Sequence, residues 1–364
     1  MSLRRSAVLP LFLAVCACSD PKADVAARTA PPPASASVPA PAPPPAPMPV
    51  AGSASPVAQA IDGAAFVPGE VHDKTRYSPL LVRAQVLLDR AHFSPGVIDG
   101  LDGSNMRLAI SAFQEARRLA VTGALDAATW AALSADGAPA MQDYEITAQD
   151  AAGPYDARSQ STDYEVLATL KSLTYASPLE ALAERFHMDE GLLKALNPGA
   201  DFSAAGAKLI VAAPRSGKLD AQVARIVVDK TLGELRALNE AGAVVAVYPA
   251  TIGSTDRPAP DGEWAVRTLA PAPTYTYDPS RLTFGKPTKK LTIAAGPNNP
   301  VGSTWIDLTK DTFGIHGSPD PRLIGKRASH GCVRLTNWDA AELGSAIRKG
   351  TVVVFQGAEK TFEA

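Results

Sequence analysis

The sequence predicts a multidomain α+β protein, with helices concentrated in its middle part and short strands dominating its C-terminal part. Apolar residues recur at helical spacing between positions 80 and 91, and a second pair of helices is bounded by turn residues at 177–178 and 197–199. After residue 222, short apolar runs alternate with Gly and Pro, which is typical of a mainly-β domain. The chain has 364 residues, so two or three domains are expected.

The N-terminus predicts export. Arg4 and Arg5 precede an apolar run at 7–15, which is shorter than the roughly 20 residues that a spanning helix needs. Residues 1–17 are therefore interpreted as a signal peptide of the lipoprotein type, because the stretch before Cys18 resembles a lipobox. The alternative is simple cleavage nearby, with the signal-region cysteines discarded. Since Ser rather than Asp follows Cys18, the resemblance implies a periplasmic protein held at the outer membrane by a lipid anchor.

The next segment, 18–75, predicts a Pro/Ala-rich linker without a core of its own. Ten of the nineteen residues from 31 to 49 are proline, and such a composition favours the extended polyproline II conformation. At about 3.1 Å per residue, that stretch would reach roughly 60 Å. The net charge of -2 gives no electrostatic basis for binding nucleic acid.

Residues 76–137 predict a small three-helix domain. Ser104 and Asp126 are suited to cap its second and third helices. The domain resembles the peptidoglycan-binding-domain family at Gln85, Ile98-Asp99-Gly100, Phe113-Gln114, Gly123 and Thr129-Trp130. The resemblance implies a role in holding peptidoglycan, whereas a generic three-helix bundle would explain the aromatic residues by packing alone.

Residues 163–214 predict a second small unit, of βααβ order. Ser177 opens its first helix, its second helix starts at Asp189, and a strand is expected at 208–212. The unit resembles a degenerate LysM module, a binder of sugar polymers, but lacks the Gly-Asp-Thr that usually precedes the first helix. Glycan binding and a structural spacer role both stay open.

Residues 222–356 predict the mainly-β domain. Strands are expected at 225–229 and 243–249 around a turn at 241–242. One helix is expected to be capped by Asn337 and ended by Gly350, before a last strand.

Two short segments of this domain carry reactive groups: Gly-Ile-His-Gly-Ser at 314–318 and Ser-His-Gly-Cys-Val-Arg-Leu at 329–335. They contain two of the five histidines and the only cysteine outside the signal region, Cys332. In an exported protein, a cysteine without a partner in its own chain is either paired between chains or reactive. Together with 251–253 and 260–262, these segments resemble the catalytic motif of the L,D-transpeptidase family, also called the YkuD family.

The resemblance implies that Cys332 is a nucleophile and His316 its base. A thiol with a pKa of about 8.5 is only slightly ionised at neutral pH, and a neighbouring imidazole can lower that pKa and hold the thiolate as an ion pair. The carbonyl of Gly317 is expected to fix the tautomer of the imidazole. Gly331 lets the backbone approach a substrate closely, so N–H groups around Gly331 and Cys332 are candidate oxyanion donors.

Substrate contacts are assigned by the same resemblance to Ser329, His330 and Arg334, and Arg334 is suited to meet a substrate carboxylate. A zinc site is the rival interpretation, since His316, His330 and Cys332 are residue types that bind zinc. No fourth ligand is evident in the sequence around them, which favours the cysteine enzyme.

The resemblance implies acyl transfer on the stem peptides of peptidoglycan, a polymer of peptide and glycan, with neither a metal nor an organic cofactor. Cys332 would form a thioester with a donor stem. An amine would then accept the acyl group, giving a 3-3 cross-link or attaching a lipoprotein to the wall. A carboxypeptidase or endopeptidase that uses water as the acceptor shares the first half-reaction. A wall-binding lipoprotein without activity is a further hypothesis, against which the intact Cys/His pair argues.

Overall fold

The computed structural model describes residues 53–215, 218–255, 257–280, 287–327, 329 and 331–360. Its helices are α1 (Pro56–Asp62), α2 (Pro79–Arg90), α3 (Ser104–Ala116), α4 (Ala127–Leu133), α5 (Ala148–Ala152), α6 (Tyr164–Leu167), α7 (Pro178–Arg185), α8 (Glu190–Leu196) and α9 (Asn337–Ala346). Its strands are β1 (Met141–Glu145), β2 (Lys208–Ala212), β3 (Arg225–Asp229), β4 (Glu234–Leu238), β5 (Val244–Pro249), β6 (Thr251–Ile252), β7 (Gly262–Pro271), β8 (Tyr275–Tyr277), β9 (Leu291–Ile293), β10 (Thr304–Leu308), β11 (Gly314–His316), β12 (Val333–Arg334) and β13 (Val352–Gln356). Within these ranges, none of the helices has both the length and the apolar character needed to span a membrane.

Nine strands of the C-terminal part form one mixed sheet in the order β5-β4-β3-β13-β7-β10-β11-β12-β6. Only Ala250 separates β5 from β6, yet these strands lie at opposite edges, so the sheet curls back on itself. Buried residues of the strands meet α9 in one core, which includes Ile226, Ile306 and Leu343. The strands that carry the two motif segments, β11 and β12, are neighbours in this sheet. The predicted fold class, multidomain α+β with a mainly-β C-terminal domain, is confirmed.

The helices α2, α3 and α4 pack around their own core, which contains Leu88, Ile110 and Phe113. Val247 of β5 belongs to the same core. Its backbone N–H also donates to the carbonyl of His92 at 2.9 Å. The three-helix domain is therefore docked firmly on an edge strand of the large sheet.

One of the two predicted caps in this domain is confirmed. The Asp126 carboxylate accepts a hydrogen bond from the Thr129 N–H at 2.8 Å and so caps α4. The cap predicted at Ser104 is wrong, because Gly103 occupies the N-cap position and Ser104 is the first residue of α3. Glycine at an N-cap is only a few tenths of a kcal/mol less favourable than serine, so the helix can begin one residue earlier than predicted at little cost.

The strands β1 and β2 form an antiparallel pair, and α7 and α8 lie between them in the chain, in βααβ order. β1 lies before the predicted range 163–214. It was not predicted because its sequence, Met-Gln-Asp-Tyr-Glu, lacks the apolar alternation that is typical of a strand. Between β1 and α7, part of the chain packs against the C-terminal domain. We call residues 153–176 the bridging segment. Its Leu167, Leu170 and Leu173 pack against Ile293 of the β8–β9 hairpin.

Helix α1 lies inside the range 18–75 that was predicted as a linker without a core. Ala58 and Ile61 are fully buried against the βααβ unit. The Asp62 carboxylate accepts hydrogen bonds from the Ala140 N–H at 2.7 Å and the Met141 N–H at 3.1 Å. The linker prediction is therefore wrong for this stretch, where two apolar residues one helical turn apart were hidden by the Pro-rich composition upstream. The predicted signal peptide, Cys18 and the proline-rich stretch lie outside the described residues.

Two details of the mainly-β domain also differ from expectation. The turn at 241–242 joins β5 to β4, a strand that sequence analysis missed. The cap of α9 is Thr336, whose hydroxyl accepts from the Asp339 N–H at 3.1 Å, so the cap predicted at Asn337 is wrong by one residue. The helix ends at Ala346, before the predicted stop at Gly350.

A cluster of ionisable side chains, the buried charge junction, joins the three-helix domain, the βααβ unit and the large sheet. Its members are Asp89, His92, His187, Arg215, Asp339 and Glu342. The side chain of Arg215 is 2% exposed and contacts three carboxylates, with Nε 2.7 Å from Glu342 Oε1 and a terminal nitrogen 2.5 Å from Asp339 Oδ1. The third carboxylate is that of Asp89. Because the junction ties together residues of all three parts, their mutual arrangement is fixed around it.

Candidate active site

Strands β11 and β12 bring the two motif segments together. They pair in parallel, with His316 opposite Arg334 and Ile315 opposite Val333. Directly opposed residues of paired strands point to the same face of a sheet, so His316 and Arg334 share one face. Cys332 immediately precedes β12, and its thiol is near enough to Arg334 for the guanidinium to act on it. His316 is buried, whereas Cys332 is partly exposed. The two motif segments therefore converge on Arg334, which acts electrostatically on both the thiol and the imidazole.

The ring of His316 is held in one orientation. Its Nδ1 lies 2.7 Å from the carbonyl oxygen of Gly317, and because a carbonyl only accepts, Nδ1 carries the proton. The Nε2 atom is then an acceptor. Trp305 of β10 stacks on the ring at 5.5 Å between centroids. No side chain fits at Gly317, since a Cβ there would lie 2.2 Å from Asn337 Oδ1.

Burial favours the uncharged form of both the thiol and the imidazole. Burial raises the pKa of Cys332, although the Gly314 N–H and the Arg334 guanidinium act in the opposite direction. Burial, together with Arg334, lowers the pKa of His316 to about 3. Both directions oppose the ion pair expected from the sequence, because loss of hydration is the largest influence on each group.

The loop before Cys332 is organised by Ser329. Its N–H donates to the Gly253 carbonyl at 2.8 Å, and its hydroxyl donates to the Cys332 carbonyl at 2.7 Å and accepts from the Gly331 N–H at 3.3 Å. Ser329 is 3% exposed, so the substrate contact predicted for it does not fit this position. Gly331 has a φ of 109°, a conformation that other residues rarely adopt. His330, also predicted to contact substrate, lies outside the described residues.

Three tyrosines form a cluster in which Tyr275 is the member near the thiol. Tyr164 of the bridging segment contacts Tyr275 and Tyr277 of β8, with ring centroids 5.8 Å and 5.2 Å apart. Burial and Tyr164 raise the pKa of Tyr275, and Cys332 contributes to the rise, so this ring is close to the thiol. Arg334, predicted to bind substrate, is half-buried and acts electrostatically on Cys332 and on both Tyr164 and Tyr275.

Sequence reasoning missed the residues that support His316 from behind. Asn337 accepts a hydrogen bond from the Ser303 N–H at 3.0 Å and donates from Nδ2 to Glu184 of α7 at 3.0 Å. The position of Asn337 at a helix start was the only signal, and it was interpreted as a cap. Trp305 carried no signal beyond strand alternation, because its stacking on His316 depends on the β10–β11 register.

Two family models match this chain. The model of the L,D-transpeptidase catalytic domain, YkuD, matches residues 223–355. The model of a peptidoglycan-binding domain matches residues 78–133. Both resemblances predicted from the motifs are confirmed, whereas the likeness to a LysM module stays a prediction.

Curated relatives match in the same region. The chain is 30% identical over 175 residues to the L,D-transpeptidase YkuD of Bacillus licheniformis, covering 48% of this chain and 91% of that relative. It is 32% identical over 143 residues to the L,D-transpeptidase YqjB of Bacillus subtilis, covering 38% and 74%. It is also 32% identical over 191 residues to the L,D-transpeptidase ErfK/SrfK of Escherichia coli, covering 48% and 58%. With most of two relatives covered, and with the Cys/His motif on neighbouring strands, this chain belongs to the L,D-transpeptidase (YkuD) family.

Proposed function

We propose that this protein is a peptidoglycan L,D-transpeptidase in which Cys332 is the nucleophile and His316 is the general base. The observation that carries the proposal is the 2.7 Å hydrogen bond between His316 Nδ1 and the Gly317 carbonyl. It leaves Nε2 unprotonated, and the action of Arg334 on both His316 and Cys332 supports placing the two groups near one another. A positioned neutral imidazole beside a thiol is the arrangement that general-base activation of a nucleophile requires.

In the first half-reaction, Cys332 Sγ attacks the carbonyl carbon of the peptide bond before the terminal D-alanine of a donor stem. His316 Nε2 takes the thiol proton as the C–S bond forms. The C–N bond then breaks, the same proton passes to the departing amine of D-alanine, and a thioester remains on Cys332. Backbone N–H groups near Gly331 and Cys332 would stabilise the oxyanion, at about 2.7–4 kcal/mol for each donor.

In the second half-reaction, the side-chain amine of another stem attacks the thioester. A proton leaves the amine for His316 Nε2 and passes to the sulfur of Cys332 as the C–S bond breaks. The product is a 3-3 cross-link. A lysine of a lipoprotein, in the same position, would anchor that protein to the wall.

Binding of the donor stem at Arg334 would make His316 a stronger base. Its guanidinium contributes to the low pKa of His316. A substrate carboxylate that pairs with Arg334 would offset this positive charge and raise the pKa of His316 toward the range of an effective base. Binding of a carboxylate-bearing stem and proton abstraction from Cys332 would then be coupled.

The test is product analysis with the exported part of the chain lacking its lipidated cysteine, from residue 19 onward. Incubation with disaccharide-tetrapeptides should give dimers whose masses correspond to loss of one D-alanine for each bond formed. A Cys332→Ala variant, otherwise identical, is the control for contaminating activity. Tripeptide monomers alone would favour the carboxypeptidase, in which water accepts the acyl group, and unchanged tetrapeptide would contradict any activity on this substrate.

The proposed location is the periplasm, with a lipid on Cys18 holding the protein at the outer membrane. The lipobox-like stretch before Cys18 and the proline-rich segment after it support this proposal, since a body that works on the wall needs reach from its anchor. Cys18→Ala should move the protein from the membrane fraction to the soluble periplasm without changing its intrinsic activity. Recovery of the unmodified wild-type protein in the soluble fraction would contradict lipidation.

A further inference from the structure

The residues that follow the last strand, 357–360, form a segment that we call the C-terminal strap. It lies just beyond residue 355, where the match to the L,D-transpeptidase catalytic domain ends. The hydroxyl of Thr231 accepts a hydrogen bond from the Ala358 N–H at 2.9 Å and donates to the Ala358 carbonyl at 3.3 Å. Gly357 permits this approach, since a Cβ there would lie 2.5 Å from Thr231 Oγ1. The strap is therefore held against the turn between β3 and β4 of the large sheet.

The carboxylate of Glu359 connects the strap with the loop that joins β6 to β7, residues 253–261. The side chain is 12% exposed, and its Oε1 accepts a hydrogen bond from the Ala259 N–H at 2.9 Å. The same oxygen lies 3.4 Å from Nζ of Lys230, a side chain that is only 4% exposed. Lys230 Nζ also lies 2.5 Å from Asp261 Oδ1, at the end of the loop. One buried ammonium thus binds both the strap and the β6–β7 loop.

Glu359 also packs against the start of the β6–β7 loop. Gly253 has a φ of 43°, and a Cβ at this position would lie 2.5 Å from Glu359 Oε2 and 2.6 Å from the Ala259 nitrogen. The carboxylate therefore occupies the space that a side chain at position 253 would need. Two distant points of the loop, Gly253 and Ala259, close around the same carboxylate.

The β6–β7 loop in turn contacts the loop that carries the nucleophile. The carbonyl of Gly253 accepts a hydrogen bond from the Ser329 N–H at 2.8 Å, and the Ser329 hydroxyl donates to the Cys332 carbonyl at 2.7 Å. At a second point, the carbonyl oxygen of Pro258 lies 3.5 Å from the place of a Cβ at Gly331. A series of direct contacts therefore connects the carboxylate of the strap with the backbone of the nucleophile.

The sheet by itself gives the β6–β7 loop little support. The strand β6 has two residues and, among the described strands, pairs only with β12. A strand so short contributes few ladder hydrogen bonds, and segments with few such bonds open at a low free-energy cost. Contacts from outside the sheet are needed to hold the loop in one position, and the strap supplies them.

We infer that Glu359 is a positioning residue for the nucleophile: it fixes the β6–β7 loop, and this loop fixes the backbone around Cys332. The inference rests on the proposed function, because the group that is positioned is the nucleophile of that reaction. Acyl transfer is sensitive to such placement, since a displacement of about 1 Å can lower a rate about 100-fold. The essential feature is an oxygen within reach of the Ala259 N–H, and the charge is secondary because Lys230 keeps Asp261 as a partner.

Single-turnover acylation of Cys332 by a carbapenem, followed over a range of carbapenem concentrations, tests this role in the full exported chain. The rate constant comes from the time course of adduct formation, so loss of folded protein lowers the amplitude and leaves the rate constant unchanged. Glu359→Ala should lower the maximal rate constant about tenfold, as expected for loss of one hydrogen bond to a charged acceptor. The carbapenem concentration that gives the half-maximal rate should stay unchanged, because Glu359 holds the nucleophile and not the substrate.

Two further substitutions separate the reach of the side chain from its charge. Glu359→Gln keeps an oxygen at the same distance from Ala259 and should acylate at close to the wild-type rate. Glu359→Asp keeps the charge but withdraws the oxygen, so it should be as slow as Glu359→Ala, and it replaces that variant if the alanine protein does not fold. Glu263→Gln removes an exposed carboxylate from β7 and is the matched control, which should behave like the wild type.

Amide hydrogen exchange locates the effect. In Glu359→Asp the Ser329 amide should lose protection, because its acceptor on Gly253 is no longer held, whereas the amides of β3 should keep theirs. Wild-type rate constants in the alanine and aspartate variants, a glutamine variant as slow as the alanine variant, or unchanged protection of Ser329 would each overturn the inference. A wild-type protein that forms no adduct at Cys332 would contradict the proposed function, and exchange at Ser329 would still decide whether Glu359 holds the loop.

Discussion

The active site and the buried charge junction treat buried ionisable groups in opposite ways. At the active site, Cys332 and His316 are kept neutral, because burial raises the pKa of the thiol and lowers that of the imidazole to about 3. At the junction, Arg215 is surrounded by carboxylates, and the pKa of Asp89 is lowered to about 2 even though burial alone would raise it. The difference lies in pairing: the Arg215 guanidinium is within contact distance of Asp89, whereas the active site offers His316 only a guanidinium of the wrong sign. Asp339, which shares Arg215 with two other carboxylates, has a raised pKa because burial outweighs this pairing.

This contrast separates what each region can do. A neutral pair can exchange a proton with substrate at small cost, which suits catalysis. A paired cluster gains from staying intact, since removal of one partner leaves an uncompensated buried charge. We therefore expect substitutions at the active site to affect rate and substitutions at the junction to affect stability.

Cys332→Ala should have the largest effect, complete loss of turnover, because no other described group is placed to form the thioester. The unfolding free energy should change by less than about 1 kcal/mol, since a small, partly exposed thiol contributes little packing. Mass spectrometry after exposure to a carbapenem checks the chemistry, and denaturant unfolding checks the stability. An adduct on the variant equal to that on the wild type would contradict the assignment of the nucleophile.

Arg215→Met should have the opposite effect, a loss of stability with the acylation rate preserved. Three carboxylates would lose their shared cation, and we expect a destabilisation of about 3–5 kcal/mol, the range found when one partner of a buried pair is removed. The acylation rate per folded molecule should stay close to that of the wild type, because Arg215 does not touch the catalytic face. The matched control is Arg348→Met, which removes an exposed arginine 3.5 Å from Glu240 and should cost no more than about 1 kcal/mol. Equal losses for the two variants would mean that the junction does not hold the modules together.

Lowering the pH should reduce the stability contributed by the active site and by the junction over different pH ranges. The folded pKa of His316, about 3, lies below the ordinary value of about 6.5, so the unfolded chain takes up a proton first and stability falls as pH decreases from about 6.5 toward about 3. For Asp89 the folded pKa is about 2, so its contribution is present above about 3.9 and is lost as pH falls toward 2. His316→Gln should remove the upper part of the acid destabilisation and leave the lower part. Denaturant titrations at several pH values measure both, and an unaltered upper part would mean that His316 protonates at its ordinary pKa.

The sequence alone predicted those features of the two regions that depend on a local pattern of residues. The motif that contains His316, Cys332 and Arg334 predicted the family of the chain, and the capping role of Asp126 followed from its position before a helix. The charge junction could not be predicted, because its residues come from separate segments and meet only through packing. His92 and His187 carried no motif, although each contacts a carboxylate of the junction, Glu342 and Asp89 respectively.

The sequence also could not predict the electrostatic state of the active site. The residue types suggested an ion pair, whereas the charge state depends on burial, which follows from the whole sheet. In the same way, β1 and the bridging segment lie far from the motif in the chain, and only the fold brings Tyr164 to the catalytic face. Residue identity thus indicates which groups react, and tertiary packing sets their pKa and their neighbours.

Ser329→Ala should give the smallest effect and tests whether a neutral polar residue beside the nucleophile binds substrate or shapes the loop. Loss of the hydroxyl removes the 2.7 Å hydrogen bond to the Cys332 carbonyl and the 3.3 Å bond from the Gly331 N–H, for which we expect a cost of about 1 kcal/mol, or a several-fold lower kcat. The KM for donor and acceptor should stay unchanged, because the side chain is buried. Steady-state kinetics separates the two roles: a raised KM with kcat preserved would assign Ser329 to substrate binding, as the sequence alone suggested. Ser329→Thr is the useful partner variant, since it keeps the hydroxyl and should recover part of the kcat if the buried loop tolerates one added methyl group.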